Sequence, residues 1–484
     1  MQTVQKSSKK AWGKAFQKPA TEFPLTPLSI IEGEIPASLN GTLYRNGPGR
    51  FERGGIPVGH WFDGDGAILA VHFNSNSSLP PLQGGTKGGN GNASAVYRYV
   101  KTEGFKEEAS AGKLLYGNYG MTAPGAVWNQ WFKPIKNAAN TSVLALPDKL
   151  LALWEGDSPH KLDLQNLDTL GKDDLGGLDD GLAYSAHPKI DYQTGEIFNF
   201  GISVGLTATL NIYKSDATGR IIKKAAHQLD GVPLLHDFVL AGEYLIFFIS
   251  PVRLNLLMPA MGLSCFSDSL EWQPSKGTQI IVINRETLNI VSRSETEPWF
   301  QWHFSNGYID DNGTVVVDIA SYDDFQTNQF LKEVPTGETY TASKSKLSRV
   351  SLNPQTAKVS NVETLFDRHC EFPIVPQKNV GKSSRYTYLS TVKEGTDISK
   401  EILNSIARFD NQTDTITEAN FDENLYPSEP IYARGFILTV VYDGNLDSSE
   451  LWIFDADRLN ESPVCKLSLP SVIPPGFHGT WKDG

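Results

Sequence analysis

Along most of the chain, apolar and polar positions alternate in short runs, each ending in a polar turn. Long stretches with apolar residues at three- and four-residue spacing are scarce, so the pattern predicts strands rather than helices. One strand–turn–strand unit recurs weakly: IYKSDATGRII from Ile212, VINRETLNIV from Val282, VSLNPQTAKV from Val350, RFDNQTDTIT from Arg408 and WIFDADRLNE from Trp452. Their turns combine Asn or Asp with Thr or Gly, the chemistry of tight hairpin loops. The units repeat at roughly 45–70 residues, the spacing of propeller blades or somewhat longer. A second hairpin precedes each one and begins on a polar residue: NTSVLALPDKLLALWEG from Asn140, HPKIDYQTGEIFNFGIS from His187, HDFVLAGEYLIFFIS from His236, HFSNGYIDDNGTVVVDIAS from His303, EFPIVPQKNVGKSSRYTYLS from Glu371 and EPIYARGFILTVVYD from Glu429. FDGDGAILAVHF from Phe62 is the candidate seventh member. The pattern predicts an all-β propeller; an all-β sandwich with scattered histidines is the plainer alternative.

In a propeller the innermost strand of each blade starts near the central axis. Residues at the start of the second hairpin would therefore converge on one point. Of the 9 histidines, His187, His236 and His303 hold that position, and His478 lies in PPGFHGTW, where the chain returns to close the ring. Neutral imidazole is the commonest metal ligand near neutral pH and suits iron, zinc, copper or nickel. Glu371 and Glu429 share the blade-start position, and Glu155 ends the first hairpin in LALWEG. With four imidazoles available, these carboxylates are expected to accept the outer ring N–H of the histidines, which fixes the tautomer and offsets the cation's charge.

The net charge of -12 argues against a general nucleic-acid binder, because phosphate contacts need a basic surface. The 3 cysteines stand in unrelated contexts without a CxxC, which fits a reducing, cytoplasmic setting rather than a disulfide framework or a cysteine zinc site. The first residues are basic but lack the apolar segment of a secretory signal. No run approaches the roughly 18–20 apolar residues of a membrane span. Nothing in the sequence points to an obligate protein partner.

A set of ordered motifs adds a family resemblance. GTLYRNGPG (41–49), WFDGDG (61–66), NTS (140–142), LLALWEG (150–156), SAHP (185–188), LLHDF (234–238), WHFSNG (302–307), CEFP (370–373), SEPIYAR (428–434) and GFHGTW (476–481) together resemble the carotenoid cleavage oxygenases, especially the bacterial, cyanobacterial-type enzymes. The resemblance runs from about Glu34 to the C-terminus. It implies a seven-bladed β-propeller over residues 34–484, with a dome of helices and loops on one face that includes about 107–137 and 251–270. Residues 1–33 would form an arm, partly disordered or touching a membrane. It implies one Fe2+ per chain on His187, His236, His303 and His478, with O2 as co-substrate. It also implies that Glu155, Glu371 and Glu429 support three of those histidines, leaving His187 without one, and that Thr141 sits beside the open iron position. One departure is visible: the family's FHxxNA reads WHFSNG here, with Gly307 in place of Ala.

A polyene substrate needs an apolar tunnel. Trp154, Trp302, Phe304, Phe372 and Phe477, all next to the proposed metal shell, are the candidate lining. Because carotenoids live in membranes, an entrance touching lipid is expected. Leu256, Leu257 and Met258 in PVRLNLLMPAMGLSCF, and Trp128, Trp131 and Phe132 in AVWNQWFKPIK, have the composition of a membrane interface. The arm segment KKAWGKAF (9–16) is a further candidate anchor. The expected protein is thus cytoplasmic and peripherally membrane-associated. Isomerohydrolase or stilbene-cleaving chemistry on the same scaffold, or a metal-binding propeller without redox chemistry, are the rival readings.

Overall fold

The computed structural model describes residues 10–74, 92–132, 134–205 and 207–484. Seven antiparallel sheets form the blades of a propeller, and two further two-stranded ribbons stand apart from them. Blades 2 to 6 each take four strands in chain order, blade 4 with a two-stranded ribbon inserted between its second and third. Blade 2 runs Ser142–Ala145, Leu150–Leu153, His160–Leu162 and Thr169–Lys172; blade 4 runs Val239–Ala241, Tyr244–Ile249, Thr278–Asn284 and Ile290–Thr296. The recurring hairpins of the sequence are the inner and outer strand pairs of these blades.

The burial pattern follows from this layout. An inner strand is covered by neighbouring blades on both faces, so Tyr244–Ile249 reads YLIFFI and is buried throughout. An outermost strand such as Ile221–Gln228 has mostly exposed or half-exposed positions. Apolar clusters fill the wedges between blades, for example Phe198, Phe200, Phe238 and Phe247. Each such side chain contributes roughly 1.5–3 kcal/mol by leaving water.

The ring closes with both ends of the chain. In blade 1 the innermost strand is Gly479–Asp483, paired with Gly41–Arg50, and the outermost is Phe23–Pro27. Blade 7 takes its outer edge, Ser29–Gly33, from the N-terminal segment. The seventh inner strand is therefore C-terminal; the Phe62 segment supplies the third strand of the blade, Asp65–Asn74, beyond Gly41–Arg50.

The same closure corrects the expected arm. Residues 10–33 are part of the propeller, not an appendage. Ala11–Phe16 forms a 3-10 turn whose Trp12 and Phe16 are buried among Phe51, Trp61, Phe330 and Phe477. Lys10 pairs with Glu401 at 2.6 Å, and Trp12 Nε1 donates to the Lys400 carbonyl at 3.3 Å. Those aromatic side chains are thus unavailable as a lipid anchor; residues 1–9 lie outside the described residues.

Helices and loops cover one end of the axis. They include the helix Glu103–Ala111, capped by the Thr102 hydroxyl accepting the Phe105 N–H at 3.1 Å, and the ribbon Val252–Leu254 with Leu270–Trp272, which brackets the short helix Leu257–Ala260. The helix Gln326–Glu333, which short-range periodicity had not revealed, completes this cover. Among the described residues no helix is long and apolar enough to cross a membrane.

Gly307 has a packing reason. A Cβ there would lie 2.2 Å from Val239 Cγ1 and 3.1 Å from Ala241 Cβ. Blade 4 fills with Val239 the space that an alanine in blade 5 would need.

Candidate metal centre

The seven inner strands bring their starting residues to the axis. Blades 3, 4, 5 and 1 deliver His187, His236, His303 and His478. One ring nitrogen from each falls within 4.8 Å of all the others. The Nε2 atoms of His187 and His236 are 2.9 Å apart, and those of His236 and His303 are 3.4 Å apart. Four imidazole nitrogens facing one another repel unless a cation or shared protons lie between them.

Two carboxylates hydrogen-bond the outer nitrogens, and a third lies beside one. Glu371 Oε2 is 2.6 Å from His303 Nδ1, and Glu429 Oε1 is 2.9 Å from His478 Nδ1. Glu155 Oε1 lies 3.2 Å from His236 Nδ1. Among the described residues His187 makes no such Nδ1 contact; its Nε2 is 3.6 Å from Glu155 Oε1. An Nδ1–H donated to a carboxylate leaves the Nε2 lone pair free for a metal. The carboxylates are themselves fixed. Glu371 accepts the Tyr322 hydroxyl at 2.7 Å and the Phe372 N–H at 3.2 Å, while Glu429 Oε2 accepts the Gly479 N–H at 2.7 Å.

The electrostatics favour neutral rings at two of the ligand positions. Burial first, and then the neighbouring histidines, push His187 and His303 well below the usual imidazole range. His236 is different: burial opposes its protonation, but the Glu155 carboxylate, with Asp237 and Glu371 behind it, outweighs that effect and raises it. Burial lifts Glu371 to about 7. A donor set of neutral imidazoles fits a first-row transition ion and does not fit calcium, which takes oxygen ligands.

Comparison with other proteins decides the family. The profile described as RPE65, retinal pigment epithelial membrane protein, matches residues 16–483. The apocarotenoid-15,15'-oxygenase of Synechocystis is 32% identical, over 97% of this chain and 96% of its own length. The resveratrol cleavage oxygenase 1 of Aspergillus fumigatus is 27% identical, over 97% of this chain and 95% of its own. The solved cobalt-substituted Synechocystis enzyme superposes with a TM-score of 0.86 at 31% identity, covering 98% of both chains. This chain belongs to the RPE65 family.

In this family member the histidine ring opens into a cavity of about 690 Å³ beneath the dome. Trp154, Trp302, Phe372 and Phe477 line it, as do Thr141, Phe62 and Tyr119, the last two not foreseen from the sequence. Trp302 stands 5.0 Å from the His236 ring and donates its Nε1–H to Thr327 Oγ1 at 2.9 Å. Thr141 gives its hydroxyl to Asn140 Oδ1 at 3.2 Å, which leaves the methyl group as the free part of its side chain. Phe372 packs 5.1 Å from the His303 ring and 5.3 Å from the His478 ring. It does so from a backbone φ of 52°, a left-handed conformation that a bulky residue adopts only under constraint, at roughly 1–3 kcal/mol.

Phe304 is the exception among the expected lining residues. The pairing register of its strand shifts on either side of it, and its ring packs on Phe248 at 5.6 Å inside the wedge between blades 4 and 5. It borders the narrow space on the opposite side of the histidines and does not line the dome cavity.

The two expected membrane segments are neighbours. A Cβ on Gly262 would lie 3.2 Å from both Trp131 Nε1 and Val127 Cγ1. Leu257 is 65% exposed, Trp128 61% and Trp131 58%; Leu256 and Met258 are also exposed. The Phe132 side chain lies outside the described residues. This patch adjoins the cavity through Ile135 and Phe266, which line it.

Proposed function

We propose that this protein is a non-heme Fe2+ oxygenase that cleaves a carbon–carbon double bond of a carotenoid or apocarotenoid with O2. The observation that carries the reading is the meeting of four imidazoles, three of which line a largely apolar cavity. The kinship with a Synechocystis apocarotenoid-15,15'-oxygenase supports it. In the overall reaction the double bond and the O–O bond break, and each alkene carbon receives one oxygen atom to give two carbonyl fragments. His187, His236, His303 and His478 would hold one iron, which supplies the redox chemistry that lets O2 react with a closed-shell polyene.

The chain's own residues prepare this reaction. Glu155, Glu371 and Glu429 keep protons on the outer nitrogens, so the inner nitrogens stay available. Four neutral imidazoles would hold the ion without cancelling its charge. Trp154, Trp302, Phe372 and Phe477 exclude water and hold a rod-shaped substrate against the centre. No general base is required, because a polyene offers no acidic proton.

Anaerobic loading with Fe2+, followed by O2 and a panel of carotenoids, apocarotenals and stilbenes, tests the proposal. Loss of polyene absorbance with two aldehyde or ketone products per cleaved bond is expected. An isomerised alcohol or phenolic aldehydes alone would reassign the chemistry, and an unchanged panel would end the oxygenase reading.

The exposed patch supports a peripheral association with lipid through Trp128, Trp131, Leu256, Leu257 and Met258. Moving three such side chains into the interface is worth a few kcal/mol at roughly 25 cal/mol per Å². The variant Leu256→Asp/Leu257→Asp/Met258→Asp is therefore expected to lose at least about tenfold in liposome partitioning while keeping its metal content. Equal sedimentation with liposomes would refute the assignment.

A further inference from the structure

The cavity is not uniformly apolar. On the side of blades 2 to 4 it runs past Trp154, Ile202, Val232 and Leu234 to the exposed Val204 and Ile135. On the side of blades 5 to 7 it ends among Ser343, His369, Ser390, Ile402 and Pro427. There the polar side chains are buried: Ser343 is 4% exposed, His369 8% and Ser390 1%.

The hydroxyls of Ser343 and Ser390 have no hydrogen-bond partner among the described residues. Buried hydroxyls are rarely left so. The third group is fixed by its surroundings. The Ser345 backbone N–H donates to His369 Nδ1 at 3.2 Å, which places the ring proton on Nε2. Burial holds His369 down at about 4, so the ring is neutral at physiological pH. The three groups belong to one neighbourhood. Ser390 pairs across the sheet with Glu371, His369 precedes Glu371 by two residues, and Ser345, two residues beyond Ser343, hydrogen-bonds the ring of His369. The Trp61 Nε1–H, on the same cavity, is also unpartnered.

We propose that this inner end is a recognition site for a neutral oxygen function, a hydroxyl or carbonyl, at the terminus of the substrate that enters past Trp154. The inference rests on the oxygenase reading and narrows it to end-oxygenated polyenes. Donors converge on the site without a cation. Lys172, the one cationic side chain among the described residues lining the cavity, is bound to Asp157 at 2.8 Å, in the strand Thr169–Lys172 at the edge of blade 2. An anionic end would therefore lose its hydration without gaining a counter-charge, whereas a hydroxyl or carbonyl satisfies the serines. An analogue lacking that oxygen leaves the same groups unpaired, which is the stronger source of selectivity.

The test uses the Fe2+-loaded protein under anaerobic conditions, with binding read by quenching of tryptophan fluorescence. Three probes are compared: an apocarotenal with a hydroxylated ring, the same apocarotenal without the hydroxyl, and the matching hydrocarbon lacking both oxygens. Oxygenated probes are expected to bind about tenfold tighter than the hydrocarbon. Ser343→Ala/Ser390→Ala is expected to bring that ratio toward one. A further gain from the ring hydroxyl identifies the ring end as the occupant; equal binding of the two aldehydes identifies the carbonyl end. Equal affinity for all three probes in the unmodified protein, or an undiminished ratio in a folded double variant, overturns the proposal. Admission of O2 separates the two readings. Cleavage without selectivity removes the inner-end site alone, and selectivity without cleavage removes the oxygenase assignment alone.

Discussion

His303→Ala is expected to lower metal affinity by more than about 100-fold, since even loss of an outer hydrogen-bond partner lowers it 10- to 100-fold. It should also destabilise the metal-free protein by about 3 kcal/mol. The second effect distinguishes this ligand from His187. His303 Nδ1 sits 2.6 Å from Glu371, a buried carboxylate whose further donors among the described residues are the Tyr322 hydroxyl and the Phe372 N–H. Removing the ring takes away one of the donors that hold this buried carboxylate. His187 makes no Nδ1 contact with a carboxylate among the described residues, so His187→Ala should match the metal loss with a smaller loss of stability. Metal per chain after anaerobic loading and desalting, paired with urea unfolding of the metal-free variants, reads both quantities. Wild-type metal content in His303→Ala would remove this residue from the centre. Equal stability losses in the two variants would remove the support assigned to Glu371.

Much of this geometry was legible in the sequence because propeller blades are built from local hairpins. Each hairpin keeps its two strands and its turn within a short stretch, so a polar residue followed by an apolar strand marks the blade start wherever it recurs. The features that escaped depend on partners far away along the chain. Blade 1 takes its inner strand from Gly479–Asp483, so the search for a seventh start settled on Phe62, two strands too far out. The arm residues KKAWGKAF read as a basic anchor until Lys10 and Trp12 meet Glu401 and Lys400 across the molecule. Phe304 was assigned to the cavity by simple adjacency to His303, and the register shifts around it defeat that logic. Ser343, His369 and Ser390 carry no local pattern; only the fold brings them to one cavity wall.

Asp237 is the residue whose role the sequence concealed most, and its replacement should rival that of a ligand. It follows His236 directly, is 3% exposed, and joins three blades. Its Oδ1 accepts the Phe238 N–H at 2.7 Å and the Lys189 ammonium at 2.7 Å; its Oδ2 accepts the Phe304 N–H at 3.2 Å. Lys189 lies two residues after His187, and Phe304 follows His303. One carboxylate thus fastens the strands that carry three of the four histidines. Asp237→Ala leaves a partly buried ammonium and two backbone N–H groups without their acceptor, for an expected loss of roughly 3–5 kcal/mol. The three ring positions should loosen with it, so metal affinity should fall about tenfold or more. Asp237→Asn keeps the shape and one acceptor oxygen, and should fall between the two. The cycle with Lys189→Met separates the ion pair from the strand tie. If the ion pair alone matters, Lys189→Met should weaken metal binding as much as Asp237→Ala does. If the carboxylate works by holding the Phe238 and Phe304 amides, Lys189→Met should keep most of the affinity that Asp237→Ala loses. Full metal affinity in Asp237→Ala would show that the blades hold their histidines in place without it.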